Sequence, residues 1–470
     1  MQIGARVGVL LLGVVLMAYL TRHLGTAGYG HYAVAVVLMN WLGVTIEAAT
    51  GGATVQLVAG QQHGSRYAVS MLQMVGCFAT LLAIAVVVSA HLLAEFLRAP
   101  AIAPLLRILA LDFALGAVAG IYASILVAQG RYVLSAVMAL SVSATQLLVA
   151  FLLVERGFLA SGACFAMVAA SVVQLVVGRA ATGVALFGRD RVPLGNLWGH
   201  TRLWAGAQLA LRVTQSMDLL AVKFFAKSPS FVGPYAGGQN ISQAAFMLFA
   251  PSQGVLLQSM AKSRRGGKHE EAAQTGALYL RGALAYGALL CALSILSEDI
   301  VRFLLGPAFS ESAPVLMILL WAVAFRILAV TGRTLIAAVG ERPSIVVPLV
   351  ILIALGLIAY TVAIPRGGIV AGAAVALGMA VAASFTSLRE GMKMMGIKFP
   401  WDSLAKIVLC ALFTSSVAVA LGAAGWWLLA KLTVECLVYL ALLFLLNEWR
   451  PTDHQKQSIR KAIFKTSLHK

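Results

Sequence analysis

Charge is what this chain has least of. Asp, Glu, Lys and Arg make up 11% of its 470 residues, where soluble domains carry about 25%. That scarcity excludes a water-soluble globule. Acidic residues are the rarer sign, 17 against 35 basic ones, and none form a D-x-D or H-x-x-x-x-D arrangement; no Gly-rich nucleotide loop appears either. Membrane-embedded enzymes of glycan assembly would need such carboxylates, or a sizeable loop to hold them. Cysteine is sparse as well. Cys77, Cys164, Cys291, Cys410 and Cys436 all fall inside apolar runs without C-x-x-C spacing or a histidine cluster, so neither a disulfide frame nor a metal site is expected. No catalytic residue and no cofactor is predicted. The first apolar run leads straight into further runs rather than into a cleavage site and a soluble domain, and is read as its own insertion signal.

What is abundant is apolar residues, 61% of the total, in continuous stretches of roughly twenty, the length that crosses a bilayer as a helix. Barrels alternate apolar with polar residues; these runs do not, so an all-α polytopic membrane protein is expected. Hydrophobic windows predict fourteen transmembrane helices near 3–21, 31–50, 68–93, 105–127, 132–153, 158–179, 203–224, 235–257, 276–296, 313–337, 345–363, 368–387, 404–422 and 425–446. With a cytoplasmic N-terminus, roughly three times as many Lys and Arg fall in the N-terminus, the even-numbered loops and the tail as in the odd loops, which predicts both termini in the cytoplasm of a bacterial inner membrane. The net charge of +18 is therefore a topology signal and an attraction for anionic membrane lipids, and nucleic acid is not expected as a partner. Trp198, Trp204, Trp401, Trp426, Trp427 and Trp449 gather near predicted span ends, as an aromatic belt would.

The chain also repeats itself. Gly30-x-Tyr32 recurs as Gly233-x-Tyr235, Phe96-Leu97-x-x-Pro100 as Phe303-Leu304-x-x-Pro307, and Ala103-Pro104 as Ala313-Pro314. Gly130-Arg131 falls opposite Gly340-Glu341, and Gly157 with Gly162-Ala163 opposite Gly367 with Gly372-Ala373. Five matches in register, at an offset growing slowly from 203 to 210, predict two six-helix lobes, 1–190 and 195–400. Two helices at 404–446 are appended, followed by a basic cytoplasmic tail, 447–470. Six crossings per lobe give both lobes the same orientation, so a pseudo-twofold axis runs along the membrane normal with a cleft between them.

Four segments carry a resemblance: LTRHLGTAGYGHYAVA (Leu20 to Ala35), TQSMDLLAVKFF with VGPYAGGQNI (Thr214 to Ile241), FLLGPAFSESAPVLMIL (Phe303 to Leu319) and GGIVAGAAVALGMA (Gly367 to Ala380). In this order and spacing the chain resembles the polysaccharide-flippase, Wzx-like branch of the multidrug, oligosaccharidyl-lipid and polysaccharide exporter superfamily. The resemblance implies a transporter working by alternating access, which moves an undecaprenyl-diphosphate-linked oligosaccharide repeat unit, for O-antigen or exopolysaccharide, between leaflets. A polysaccharide polymerase or chain-length regulator is a candidate partner. A drug/cation antiporter of the same fold is the alternative, though the acidic motif expected in its first span does not occur between Ile3 and Leu20. A membrane-embedded glycan-assembly enzyme is the third reading.

Ionisable residues inside spans are costly and so mark function. Arg212, Arg326 and Arg333 are the cationic candidates. Arg326 and Arg333, seven residues apart, share one helix face, and guanidinium offers the planar, permanently charged donors that a diphosphate needs. Arg22, at the end of the first span, is a candidate at the cavity mouth. Gln239 and Asn240, with Gln243, could hydrogen-bond sugar hydroxyls or serve tight helix packing. Asp218, Glu47 and Asp112 are the ion-coupling candidates, with helix pairing as the structural alternative. Lys431 and Glu435, four residues apart, are expected to neutralise each other.

Overall fold

A computed structural model describes residues 2–59, 64–186, 188, 213–214, 216–226, 229–339, 346–422 and 427–446. Among the described residues the chain is all helix and turn, with no strand. The helices are α1 (Gln2–Ala59), α2 (Gly64–Phe96), α3 (Ile102–Ala128), α4 (Tyr132–Leu153), α5 (Leu159–Thr182), α6 (216–225), α7 (Val232–Arg265), α8 (His269–Leu293), α9 (Ser297–Leu304), α10 (Ser312–Val339), α11 (Val346–Met395), α12 (Trp401–Ala420) and α13 (Leu428–Leu445). Helix is the state that satisfies every backbone group within a segment, and continuous apolar runs leave the backbone no other way to lose its water.

Ten helical segments among the described residues are long and apolar enough to cross a membrane, where the hydrophobic windows separate fourteen. Three of the ten run 49, 51 and 46 residues, about twice what a ~30 Å hydrocarbon layer needs. Each holds a glycine outside helical geometry: Gly25 (φ 65°) in α1, Gly157 (φ 88°) between α4 and α5, and Gly368 (φ 62°) in α11. Glycine tolerates positive φ, so the hydrogen-bonded ladder resumes at once on the far side and two expected spans read as one element. In α11 Pro365 stands three residues before the break and withholds an N–H from the ladder. The expected span at 203–224 lies partly outside the described residues.

Contacts fall into two groups. In the first half α1 packs on α2, α3, α4 and α5, α3 on α2 and α5, and α4 on α5. In the second half α10 is the hub, packing on α7, α8 and α11. A continuous apolar core runs through both and includes Leu20, Tyr29, Tyr122, Tyr235, Phe309 and Tyr360. A smaller cluster, with Leu280, Ala285, Ile407, Cys410 and Tyr439, fastens α12 and α13 to α8. Outward faces are also apolar: Val88 and Trp427 are each 77% exposed. Large side chains left uncovered around the whole bundle are those of a protein solvated by lipid. Trp401 and Trp427, at the starts of α12 and α13, are both exposed, as belt residues are.

The halves meet where the repeat predicts equivalence. Gly30 and Gly233 approach so closely that a Cβ on Gly30 would lie 2.9 Å from the Gly233 nitrogen, and one on Gly233 would run into the Thr26 carbonyl. Only two glycines allow this crossing. Around it Tyr29 packs edge-on against Phe309, Asn240 donates to the Tyr29 hydroxyl at 2.7 Å, and Arg22 donates to the Phe303 carbonyl at 2.6 Å. The repeated corner at Phe96 answers Phe303 from the other side: its ring lies edge-on to Phe224 of α6, with centroids 5.1 Å apart.

Candidate functional site

A polar cavity opens inside the second half. Its walls come from four places: Thr214 and Asp218 just before and on α6, Gln239 and Ser242 on α7, Arg326 and Arg333 on α10, and Tyr360 and Met379 on α11. Five alanines, Ala322, Ala329, Ala376, Ala380 and Ala383, line it as well, together with Leu319 and Val330. The alanine side chains are too short to fill the gap between α10 and α11, which is how a space forms in an otherwise packed bundle. The cavity holds about 60 Å³, room for a few waters.

Asp218 is its buried anchor, 6% exposed. The carboxylate accepts from the Leu219 N–H at 3.0 Å, the Tyr235 hydroxyl at 2.9 Å and the Gln239 amide at 2.7 Å. Three donors replace the water that burial removes. Arg326 faces it from α10. Its guanidinium lies 5.0 Å over the Phe246 ring, donates to Gln243 Oε1 at 3.2 Å and falls within electrostatic reach of Asp218. Arg333, two turns further along α10, lines the same cavity and lies close enough to Arg326 for the two charges to interact. The site thus pairs one carboxylate with two guanidinia, leaving an excess of positive charge among the described residues that line it.

The remaining sequence candidates are placed elsewhere. Arg22 and Asn240 belong to the crossing between the halves, where their donors are engaged by the Phe303 carbonyl and Tyr29. Asn240 follows Gln239 by about 100° of helix turn and so leaves the face that Gln239 shares with Gln243. Asp112 sits in the first half and accepts from the Ser171 hydroxyl at 2.6 Å, within electrostatic range of Tyr32. Glu47 is exposed on α1, its Cγ beside Gly120. Arg212 lies outside the described residues. Lys431 stays within electrostatic reach of Glu435, as expected, but makes its hydrogen bond elsewhere. It reaches back along α13 to donate to the Gly422 carbonyl at 2.6 Å and lies 3.9 Å from Asp299, because side chains on a helix lean toward its N-terminus and a long stem can follow.

Tyr360, Thr214 and Ser242 in the lining, and Tyr235 on Asp218, are polar groups that no sequence pattern marks as candidates. Tyr235, a donor to Asp218, was visible as half of a repeated Gly-x-Tyr pair but carried no chemistry until its partner was known. Tyr360 is a lone tyrosine in an apolar run, a pattern that gives no signal by itself.

The family described as polysaccharide biosynthesis protein matches residues 3–264. In fold the chain is similar to a solved structure of the lipid II flippase MurJ in an inward closed conformation, at 16% identity over 95% of this chain and 98% of that one, with a TM-score of 0.76. It is also similar to an inward-facing multidrug resistance MATE family transporter of the MOP superfamily (12% identity, 84% and 94% covered, TM-score 0.65). A third likeness is to the Vibrio cholerae MATE transporter VcmN in its bent form (14% identity, 84% and 98% covered, TM-score 0.54). No protein of curated function matches the sequence.

Proposed function

The chain belongs to the polysaccharide biosynthesis protein family, and from that premise we propose that it carries an undecaprenyl-diphosphate-linked oligosaccharide repeat unit across the bacterial inner membrane. The family and the fold are those of multi-pass membrane transporters and flippases, not of catalytic enzymes. The finer reading rests on one observation: Arg326 and Arg333 line a single cavity beside Asp218. A diphosphate carries permanent negative charge, and two guanidinia on one helix face supply planar paired donors for it. Their attraction is strengthened where water is excluded.

The cycle that follows is alternating access. Both termini face the cytoplasm, fourteen spans form two six-helix lobes with two appended helices, and the crossing at Gly30 and Gly233 closes the periplasmic side. At about 60 Å³ the cavity is smaller than any oligosaccharide, so cargo enters only after the halves part on one side. Opening toward the periplasm breaks the contacts Arg22 to Phe303, Asn240 to Tyr29 and Trp41 to Ser216. Asp218 then serves as the exchanging partner: when a diphosphate draws Arg326 away, the carboxylate is left to take a proton or Na⁺. Gln239, bound to Asp218, transmits that change to α7. Membrane lipids surround the carrier, and a polymerase or chain-length regulator would receive the exported units.

The test is a deletion strain. Completed lipid-linked repeat units trapped on the cytoplasmic leaflet, with surface glycan lost, are expected. Normal surface glycan with altered sensitivity to cationic drugs would favour the antiporter reading, which the likeness to multidrug transporters and the buried Asp218 support.

A further inference from the structure

Glu435 is a carboxyl buried without a hydrogen bond, its charge met only by electrostatic reach of Lys431 one turn away. It sits on α13, outside the repeated halves, with 0% exposure, and neither carboxyl oxygen has a hydrogen-bond partner. The neighbouring cation is occupied elsewhere: Lys431, itself 7% exposed, donates to Gly422 at the turn after α12 and faces Asp299 of α9 at 3.9 Å. Three ionisable groups therefore meet where α13 packs on α8, α9 and α12. Two carboxyls and one ammonium leave the cluster one positive charge short if both acids are ionised.

Among the described residues, the other titratable groups of this cluster add no second cation. From α8 come Cys291 and Tyr286, from α12 Cys410, from α9 Asp299, and from α13 itself Lys431, Cys436 and Tyr439. The Tyr439 hydroxyl already donates to the Ala285 carbonyl. An ionised carboxylate without a donor is not tolerated at such depth, so the missing charge must be a small one already present.

We propose that Glu435, with Lys431 and Asp299, forms a proton-binding site at the junction of the appended helices with α8 and α9, separate from the central cavity. In this proposal the proton arrives by way of Asp299, the partly exposed member of the cluster at 25%, and forms an O–H bond on one Glu435 oxygen. Neutral Glu435 leaves Lys431 tied to Asp299 and Gly422, which clips α13 and the α12 end to α9. Loss of the proton creates a charged acceptor one turn from Lys431, and the ammonium then divides between Glu435 and Asp299. The clip loosens. The site is independent of the cargo proposed above.

Infrared spectra of the purified full-length protein in lipid nanodiscs read this directly. One protonated-carboxyl band is expected at neutral pH, shifted by carbon-13 glutamate and absent in Glu435→Gln. The Gln variant, a mimic of the neutral acid, is expected to keep the wild-type melting temperature at neutral pH and to lose the decline that the wild type shows as pH rises. Identical spectra for wild type and Glu435→Gln would overturn the proposal. Should the variant fail to fold, absence of a carbon-13-glutamate-sensitive band in the wild type would overturn it equally.

Discussion

Helices α3 and α10 occupy the same frame and carry opposite chemistry. Shifted by the 210-residue offset, Ile102 falls on Ser312 and Ala128 on Ala338, the start and nearly the end of α10. On that register Arg326 falls opposite Gly116, Arg333 opposite Ala123, and Asp112 opposite Ala322. Each hub helix packs against the others of its half. Yet the first-half hub holds one carboxyl satisfied by Ser171, while the second-half hub turns two arginines onto a cavity. The repeated tyrosines part in the same way. Tyr32 meets the Met167 sulfur at 3.6 Å, whereas Tyr235 donates to Asp218 at 2.9 Å. The glycine crossing and the helix limits recur in both halves, while the side chains on them differ: a satisfied carboxyl in one half, two arginines lining a cavity in the other.

The comparison breaks most severely at the crossing, the feature both halves share. Gly233→Leu drives a side chain into the Thr26 carbonyl and is expected to destabilise the protein by about 3 kcal/mol, at the upper end for overpacking. Thermal unfolding in detergent would register this as a fall of several degrees. Next comes the difference between the hubs. Arg326→Ala is expected to lower export of lipid-linked saccharide about tenfold or more, a loss of roughly 1.4 kcal/mol per decade. Arg326→Lys should recover part of it, because lysine keeps the charge and loses the planar fork. Surface-glycan yield in a complemented deletion strain measures both.

Carboxyl pairs sharpen the comparison further. Asp218→Asn is expected to reduce export several-fold, while Asp112→Asn, which keeps an acceptor for Ser171, leaves it within about twofold, given that a neutral hydrogen bond is worth only ~1 kcal/mol. Equal losses in the two variants would mean that the halves share the coupling. Arg22→Gln is expected to act modestly, on the crossing alone. Its bond to the Phe303 carbonyl is exposed and worth about 1 kcal/mol. Maleimide labelling of a Thr26→Cys reporter, in a background without the exposed Cys77, should rise a few-fold as the crossing opens more often.

Much of the frame was legible because hydrocarbon enforces it. Continuous apolar runs dictated helices, and the glycine, tyrosine and proline positions that mark the repeat were visible at offsets growing slowly from 203 to 210. The sequence windows break at or beside Gly25, Gly157 and Gly368, where the structure turns out of helical geometry and then resumes the helix, so pairs of expected spans read as single elements. In the cavity, Asp218, Gln239, Arg326 and Arg333 stood out as polar groups in apolar surroundings, and the fold brings them together. Helical periodicity could not show that Arg22 and Asn240 would be used between the halves, because a contact across 281 or 211 residues leaves no local trace. Nor could it show that Lys431 would prefer a carbonyl at the turn over its neighbour Glu435.

The central claim is that the cationic cavity of the second half recognises an anionic lipid-linked head group. Its most direct test is translocation in proteoliposomes of a diphosphate-linked saccharide and an uncharged analogue on the same lipid, by wild type and by Arg326→Ala. The account predicts that wild type moves the diphosphate substrate well ahead of the analogue and that the variant loses this preference. Wild type that moves both equally, or a variant that retains the preference, would contradict it.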